Sequence, residues 1–469
     1  MATNPPVPLR PTIQNVIDQV KDKNRLSAGI DACRERPSDF ASDTEMELAG
    51  IAMVPEARQL MSDALTRYWR ENYSDGFGLN TFSQAEIIIG GGFHAAVYAA
   101  NRVRMGFPRP TVLEQNSAER VGGAFAMSLS PVFRLNSRNR PGTAGLPDQD
   151  KALNYLPGGL LQPSMMTSEE YPTNADMAWL IRLTLAQYAR VYTGVTVTDI
   201  TSEIGFGNRA RLSTSAGDIT PARVIDARGL GTENGLQGAD GQRVLTFGQL
   251  MARMGGMFPL RGMKQVAVIG AGDSGKCAVE SLLGIAPGNT SAIGLDYVQR
   301  VDWYTNGTIS GQTCSEFRDR QRGRYIRIAQ YLDGNVSNPS TRLQVMSATG
   351  YVTAMPDGAI VNERTYDMVV VCTGSKRPSL NDDGLDYFAV RQGTGGQLVD
   401  AGSGSRGTQL ATQASPFASF RIGPAAGLSF STREFDSGIA EIPANQVAMF
   451  RLAPRTAALA AILPGVDTE

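Results

Sequence analysis

The chain twice runs from a short apolar strand into a glycine-rich turn and straight on into a helix, and this repeated unit restricts it to folds that bind dinucleotides. The first copy reads Glu86-Ile87-Ile88-Ile89, then Gly90-Gly91-Gly92-Phe93-His94-Ala95, then a helical run from Ala96 to Met105. The spacing is G-x-G-x-x-A. Gly90 permits the tight turn, Gly92 lets the backbone approach a pyrophosphate, and Ala95 is small enough for the helix to pack closely on the strand. Phosphates then sit at the helix N-terminus, where N–H groups and the helix dipole favour anions. A second strand, Thr111-Val112-Leu113, ends at Glu114. That places an acid roughly twenty residues beyond the glycines, where a carboxylate accepts hydrogen bonds from ribose hydroxyls.

The second copy is Gln265-Val266-Ala267-Val268-Ile269, then Gly270-Ala271-Gly272-Asp273-Ser274-Gly275, then a helix from Lys276 to Leu283. Turn, approach and packing fall here on Gly270, Gly272 and Gly275, with Ser274 in the same cofactor-binding turn. The strand that follows, 297–304, runs into Thr305-Asn306 without a carboxylate. An acid there would hold the 2'-hydroxyl of NAD and repel the 2'-phosphate of NADP, so its absence points to NADPH. Arg318, Arg320, Arg322 and Arg324 follow on a polar segment; they read either as a phosphate clamp or as a solvated charged face. The two turns lie about 180 residues apart, too far for a solenoid, and are read as two separate nucleotide-binding domains.

Bulk properties narrow the partners. Of 469 residues, 42% are hydrophobic and 19% charged, an ordinary globular composition whose length suggests two to three domains. Forty-four basic against forty-five acidic residues leave a formal charge of -1, so no overall field favours nucleic acid or an anionic membrane. Residues 1–16 hold no apolar core of signal-peptide length and no apolar run is long enough to span a bilayer, so a cytoplasmic location is expected. Cys33, Cys277, Cys314 and Cys372 form no C-x-x-C pair, so neither a redox dithiol nor a zinc site is suggested and each reads as a small buried apolar residue. His94 is the single histidine, which argues against a His-based metal centre or a Ser-His-Asp triad; at a variable position of the first turn it reads as a packing residue. Ahead of the first turn, Ile13, Val16, Ile17 and Val20 predict one helix and Leu60, Leu65 and Trp69 another. This extension reads as a packing appendage or an oligomer contact, so a homo-oligomer is possible.

Further motifs carry a resemblance to a family. Arg120-Val121-Gly122-Gly123 follows the ribose acid; Ala222-Arg223-Val224-Ile225-Asp226-Ala227-Arg228-Gly229 and Tyr366-Asp367-Met368-Val369-Val370-Val371-Cys372-Thr373-Gly374 are matching strand-to-glycine turns; Phe420-Arg421-Ile422-Gly423-Pro424 lies near the end. In these features the chain resembles the two-dinucleotide-domain flavoprotein monooxygenases, the flavin-containing monooxygenases and amine N-hydroxylases. The resemblance implies an α/β fold: a FAD-binding Rossmann-like domain (84–258 and 363–469), an inserted NAD(P)H-binding Rossmann domain (259–362), and the N-terminal helical extension (1–83). It implies that Gly122 and Gly123 pass close to the FAD, that Gly229 and Gly374 bracket the inserted domain, and that Gly423 belongs to the closing FAD segment, with Gly-Pro where many relatives have Gly-Asp.

Within that group the F-x-G-x-x-x-H signature of Baeyer-Villiger and flavin-containing monooxygenases is missing; the nearest stretch, Leu245-Thr246-Phe247-Gly248-Gln249, has no histidine. The resemblance therefore implies an amine N-hydroxylase, in which NADPH reduces FAD and oxygen forms a flavin hydroperoxide that oxygenates a small amine or amino-acid-like substrate. The alternatives are a FAD-dependent NAD(P)H reductase or oxidase without oxygen insertion, and a cofactor-binding scaffold without catalysis. No catalytic side chain is assigned. Arg134, Asn136 and Arg138, in the basic stretch 133–140, read either as holding an acidic group through bidentate hydrogen bonds or as a solvated loop. Tyr171 and Asn174, at the entry to a helix expected over 175–190, resemble the tyrosine-proline entry to the helix beside the FAD in these monooxygenases.

Overall fold

Runs of Ile and Val buried on both faces are what parallel strands under cover on either side require, and such runs form the frame of the molecule. The structure is a computed structural model that describes residues 9–21, 43–79, 86–127, 133–135, 156–166, 171–202, 210–229, 231–234, 241–254, 260–270, 272–285, 298–305, 328, 343–346, 352–355, 358–376, 388–392, 398–400, 420–423, 453, 456–461 and 463–466. Its principal helices are α1 (Pro11–Lys21), α2 (Asp43–Met53), α3 (Pro55–Tyr73), α4 (Phe93–Arg104), α5 (Asn174–Tyr188), α6 (Phe247–Met254) and α7 (Asp273–Leu283). The strands of its two large sheets are β1 (Glu86–Ile89), β2 (Thr111–Glu114), β3 (Arg190–Thr193), β4 (Arg223–Asp226), β5 (Val244–Thr246), β6 (Gln265–Ile269), β7 (Arg300–Tyr304), β8 (Leu343–Met346), β9 (Met368–Val371), β10 (Phe388–Gln392), β11 (Leu398–Asp400) and β12 (Phe420–Arg421).

The first sheet has the order β11-β10-β12-β4-β1-β2-β3 and the second β8-β7-β6-β9-β5. Neighbours are parallel throughout, apart from the antiparallel pair β10 and β11. Every strand of the second sheet falls between β4 and β10 in sequence. The two segments that join the sheets pair with each other, Thr232–Glu233 running antiparallel to Ser375–Lys376. A division at 258/259 and 362/363 assigns β5 and β9 to the first sheet, and the pairing corrects this. Val369, Val370 and Val371 of β9 stand opposite Val244, Leu245 and Thr246, and β9 also pairs with β6, so both strands belong to the second sheet.

Each sheet is covered in the same way, because successive side chains on a strand point to opposite faces. In β1, Ile88 joins the core formed with α4 and α5, while Ile87 and Ile89 pack with Leu212 and Ile219 of a three-stranded antiparallel sheet, 197–219. In β6, Val266 and Val268 meet Ala278 and Leu282 of α7, whereas Ala267 and Ile269 meet Ala359, Val361 and Tyr366 of a second antiparallel sheet, 352–366. The chain is thus built from two copies of one layered plan.

The N-terminal helices are part of the first copy. Ile13 and Ile17 of α1, Leu48 and Ile51 of the unanticipated α2, and Met61, Leu65 and Trp69 of α3 share one apolar core with α4 and α5. Leu60, expected on that face, is instead 37% exposed, since the buried stripe of α3 is Ala57, Met61, Leu65 and Trp69. Beyond α3, Ser74 bridges to Thr193 and the Asp75 N–H donates to the Thr193 carbonyl, covering the β3 edge of the sheet. Among the described residues no helix is long and apolar enough to cross a membrane.

A buried charge cluster fastens the last segment of the chain to the start of β1. The Glu86 carboxylate accepts from Arg102 Nε (3.1 Å) and from Arg223 (2.7 Å). Arg102 also donates to the carbonyls of Ala460, Leu463 and Pro464, and Arg223 to that of Pro464. Removing one member of a buried ion cluster leaves uncompensated charge. Glu86→Ala is expected to lower stability by about 3–5 kcal/mol, measured by urea unfolding, because two buried guanidiniums lose their counter-charge.

Candidate dinucleotide sites

The same backbone construction appears at both glycine turns. At the first, the Gly90 N–H donates to the Leu113 carbonyl (2.8 Å) and the Ala227 N–H to the Ile89 carbonyl (2.9 Å), so the turn is tied to the ends of β2 and β4. At the second, the Gly270 N–H donates to the Tyr304 carbonyl (2.9 Å) and the Cys372 N–H to the Ile269 carbonyl (2.7 Å), tying it to β7 and β9. Gly90 has φ +98° and Gly270 φ +114°, values that side chains rarely tolerate. A Cβ on Gly90 would lie 3.0 Å from the Ala227 carbonyl oxygen, and one on Gly270 would collide with that of Cys372.

The middle glycines are different. Gly92 and Gly272 are the N-cap residues of α4 and α7 and have extended backbone. Among the described residues a Cβ at Gly92 would meet nothing nearer than the Gly123 Cα at 3.7 Å, and at Gly272 nothing within 4 Å. The fold therefore does not demand glycine at either position. Gly275 returns to the first type, because a Cβ there would run into the Gly270 carbonyl. Ala95 is fully buried, as the packing position of the first turn requires; Ser274 is only partly buried.

Other expected residues converge on the first turn. The Gly122 N–H donates to the Gly91 carbonyl (3.0 Å), and a Cβ on Gly123 would stand 3.0 Å from the Gly92 Cα, so the Gly122-Gly123 loop lies against the first glycine turn. Glu114 ends β2 with a buried carboxylate. It accepts from the Gly91 N–H (2.7 Å), the Asn116 N–H (2.8 Å) and the Asn116 amide (2.6 Å). Burial pushes its carboxyl up from the ordinary range against the pull of these donors. A carboxylate offers roughly four lone-pair positions, three of which take protein donors, so Glu114 shapes the turn and has room for about one ribose hydroxyl. Asn116 was not singled out in the sequence; a side chain two residues past the strand-end acid is a recognisable local hydrogen-bonding partner.

Gly229 follows β4 and Gly374 follows β9, both with positive φ. Gly423, after β12, packs on the His94 ring, whose Nδ1 pairs with Thr456 Oγ1 at 2.9 Å. His94 is buried and joins the first helix to the end of the chain. In the second unit the strand after the turn has one carboxylate, Asp302, placed within β7. It accepts from Arg300 (2.7 Å) and from the Tyr366 hydroxyl (2.7 Å), which itself pairs with Tyr304 (2.8 Å). Burial and these partners push the Tyr366 hydroxyl well up, so it stays a neutral donor. Cys277 and Cys372 are free and buried, and burial raises the Cys372 thiol well above its usual value.

The basic stretch is only partly placed. Arg134 is buried and donates to the Tyr171 carbonyl (2.9 Å), while Leu135 N–H donates to Pro172 O and Asn174 N–H to Phe133 O. Residues 133–135 and 171–174 are thus laced together, with Tyr171 and Asn174 both buried. The loop reading is corrected for Arg134, whose guanidinium is occupied by backbone because its strand-like segment pairs with the entry to α5. That helix begins at Asn174, with a reciprocal cap between Thr173 and Asp176, and ends at Tyr188, since Arg190 opens β3. Asn136, Arg138, Arg140, Arg318, Arg320, Arg322, Arg324, Pro424, Cys33 and Cys314 lie outside the described residues.

No protein-family model matches the chain, and no curated protein sequence matches it. Solved structures do. L-lysine 6-monooxygenase from Pseudomonas syringae is similar with a TM-score of 0.50 at 14% identity, covering 80% of this chain and 99% of that one. An ornithine N-hydroxylase from Kutzneria sp. 744 is similar with a TM-score of 0.49 at 12% identity, over 81% and 98%. Ornithine hydroxylase from Pseudomonas aeruginosa gives 0.48 at 14%, over 80% and 99%. The chain therefore shares the mixed α/β, parallel-sheet fold of the lysine monooxygenase, from one end of that enzyme to the other.

The contrast among the glycines predicts two kinds of variant. Gly275→Ala should be strongly destabilising, by about 2 kcal/mol or more, because neither the helix nor the turn backbone can yield to the new methyl group. Gly92→Val and Gly272→Val should still fold in the absence of ligand, losing only the roughly 1 kcal/mol of a poorer N-cap and less than Gly275→Ala, as read by circular dichroism melts.

Proposed function

We propose that the chain is an NADPH-dependent FAD monooxygenase acting on a small amine or amino-acid-like substrate, with FAD in the first layered unit and NADPH in the second. The observation that carries this reading is the pair of middle glycines. Gly92 and Gly272 sit at helix N-termini, in space that the described residues leave open, and the backbone around each is held by bonds that do not use that space. A helix N-terminus with open approach fits a pyrophosphate, so the residues present suit a dinucleotide in each unit. The shared fold supports the activity class, since the similar Pseudomonas syringae protein is a monooxygenase of lysine.

The two units differ where the cofactors differ. Glu114 ends its strand with a buried carboxylate beside the turn, suited to an unphosphorylated ribose such as that of FAD. In the second unit β7 ends at Tyr304-Thr305, and its one acid, Asp302, is taken up by Arg300 and Tyr366. No carboxylate stands at the end of that strand, where it would repel a 2'-phosphate, and this favours NADPH. When bound, FAD supplies electron transfer from the nicotinamide to oxygen and delivery of one oxygen atom to the amine. The chain's own contribution is positional: Gly90, Gly92, Gly122, Gly123 and Glu114 form the cradle, with Ala95 packing its helix on β1, and Gly229 and Gly423 at adjoining strand ends. Gly270, Gly272, Ser274 and Gly275 form the second cradle, with Gly374 beside it. With β5 and β9 in the second sheet, the proposed FAD domain is 84–229 and 388–469 and the NADPH domain 241–372.

Purified protein should carry stoichiometric FAD and, given NADPH and oxygen, convert lysine, ornithine or cadaverine to a hydroxylamine in proportion to NADPH consumed, measured by mass spectrometry. Peroxide as the sole product with every amine would replace this reading with an oxidase. Gly92→Val should lose FAD. Gly272→Val should keep FAD that dithionite bleaches and NADPH does not, seen by visible absorbance; loss of both cofactors in either variant would mean that the units are assigned wrongly.

A further inference from the structure

Arg182 is a buried arginine that donates to no carboxylate among the described residues. It sits on α5, 4% exposed, with its guanidinium 4.9 Å over the Trp69 ring of α3. One terminal nitrogen donates to the carbonyls of Ala118 (2.8 Å), Glu119 (3.2 Å) and Val121 (3.4 Å), the residues that lead directly into Gly122-Gly123. The other donates to Thr66 Oγ1 (2.6 Å) and the Ser62 carbonyl (3.2 Å) of α3. Burying a guanidinium costs free energy unless its protons are satisfied, and burial pulls this one down to about 10. Backbone carbonyls are its main partners, so what the guanidinium fixes is the position of the loop and of the helix that carry them.

Three more contacts run along the same seam. Asp176 pairs with Arg58 (2.5 Å), the Trp179 indole N–H donates to the Arg58 carbonyl (3.2 Å), and Arg70 pairs with Glu119 in the loop itself. Residues 176, 179 and 182 form one stripe of α5, facing 58, 62, 66 and 69 on one stripe of α3. At the far end, Arg10 of the N-terminal segment donates to the carbonyls of Ala186 and Ala189 and to Tyr68. The N-terminal helices are therefore hydrogen-bonded along the whole of α5, and through Arg182 to the loop that lies on the phosphate turn.

We propose that Arg182 is a positioning residue for the dinucleotide of the first unit, and that α3 is a built-in brace which, through Arg182, holds the Gly122-Gly123 loop at the separation from Gly91-Gly92 that the ligand requires. This rests on the reading of the first unit as a FAD site. A guanidinium is suited to the task because its planar fork reaches two elements at once with fixed geometry, which a lysine cannot do. The ligand gains affinity from a loop ordered before it arrives.

The test uses the full-length protein stripped of flavin and titrated with FAD by fluorescence quenching, beside thermal melts of the same apoproteins. Arg182→Gln and Arg182→Lys should each weaken FAD about tenfold or more, and Thr66→Val, which removes one acceptor on α3 without changing its shape, about threefold or more. Thr66→Ser keeps the hydroxyl and should bind FAD as the parent does. Leu65→Ala, a cavity in the core of the same helix that removes no hydrogen bond to Arg182, should lower the melting temperature at least as much as Thr66→Val yet leave FAD affinity within about twofold. FAD affinity that follows melting temperature across all five variants, or is unchanged in Arg182→Gln, overturns the brace. Failure of the parent protein to bind FAD overturns both the brace and the functional reading beneath it.

Discussion

At each of the two turns a strand end must press its carbonyl against the Cα of the first glycine, and the rest of the architecture follows from that contact. Ala227 closes on Gly90 and Cys372 on Gly270, in each case with the backbone hydrogen bond donated one residue past the strand end. The returning strands β4 and β9 can then pair directly with β1 and β6, which puts each glycine-led strand inside its sheet. Any side chain at Gly270 would push β9 away and open the second sheet along its middle. Helices α4 and α7 leave their turns pointing back over the same face, and the antiparallel sheets take the other.

Arginine does the long-range fastening in this fold. Arg102 and Arg223 share Glu86 and hold the carbonyls of the last described segment, so β1 is joined to residues more distant in sequence than any other part of its core. Arg182 and Arg10 do the same between the N-terminal helices and α5. Backbone carbonyls are the recurrent acceptors. A guanidinium has five donors in a fixed fork and can satisfy several loop carbonyls that no strand or helix reaches, which removes the penalty of burying those carbonyls. The desolvation cost of the arginine is thereby offset by oxygens that would otherwise be unpaired.

Much of this frame was legible because it is written in short-range patterns. Glycine spacing, β-branched runs and the helical stretches that follow them placed β1, α4, β2, β4, β6, α7 and β9 to within a few residues. What the pattern hid is instructive. Helix α2 carries its apolar residues on no sharp stripe, and Leu60 matched a helical repeat whose true buried face lies one residue on, at Met61. The assignment of β5 and β9 depended on pairing partners more than a hundred residues apart, which no local signal records. Arg134 carries a charge, and charge alone reads as solvent or ligand; its partner is the Tyr171 carbonyl, a group every residue possesses and no sequence pattern marks. Arg182 was invisible for the same reason: it lies within a largely apolar stretch of α5, and its own partners are mostly carbonyls.

The glycines separate two demands that sequence motifs merge. A fingerprint treats its three glycines as one signature, yet here Gly90, Gly270 and Gly275 are fixed by the protein's own backbone, whereas Gly92 and Gly272 face space that the described residues leave open. A fold that needed only to close its sheets would keep the first set and be free at the second. Extended backbone at an N-cap does not require glycine, and Ser, Asp or Asn would cap α4 and α7 better than glycine does. Glycine at both positions therefore forgoes helix stability that a polar cap would provide. What it preserves is bare backbone at the helix N-terminus, and the reading of two cofactor sites rests on that choice being made twice, in two units built alike.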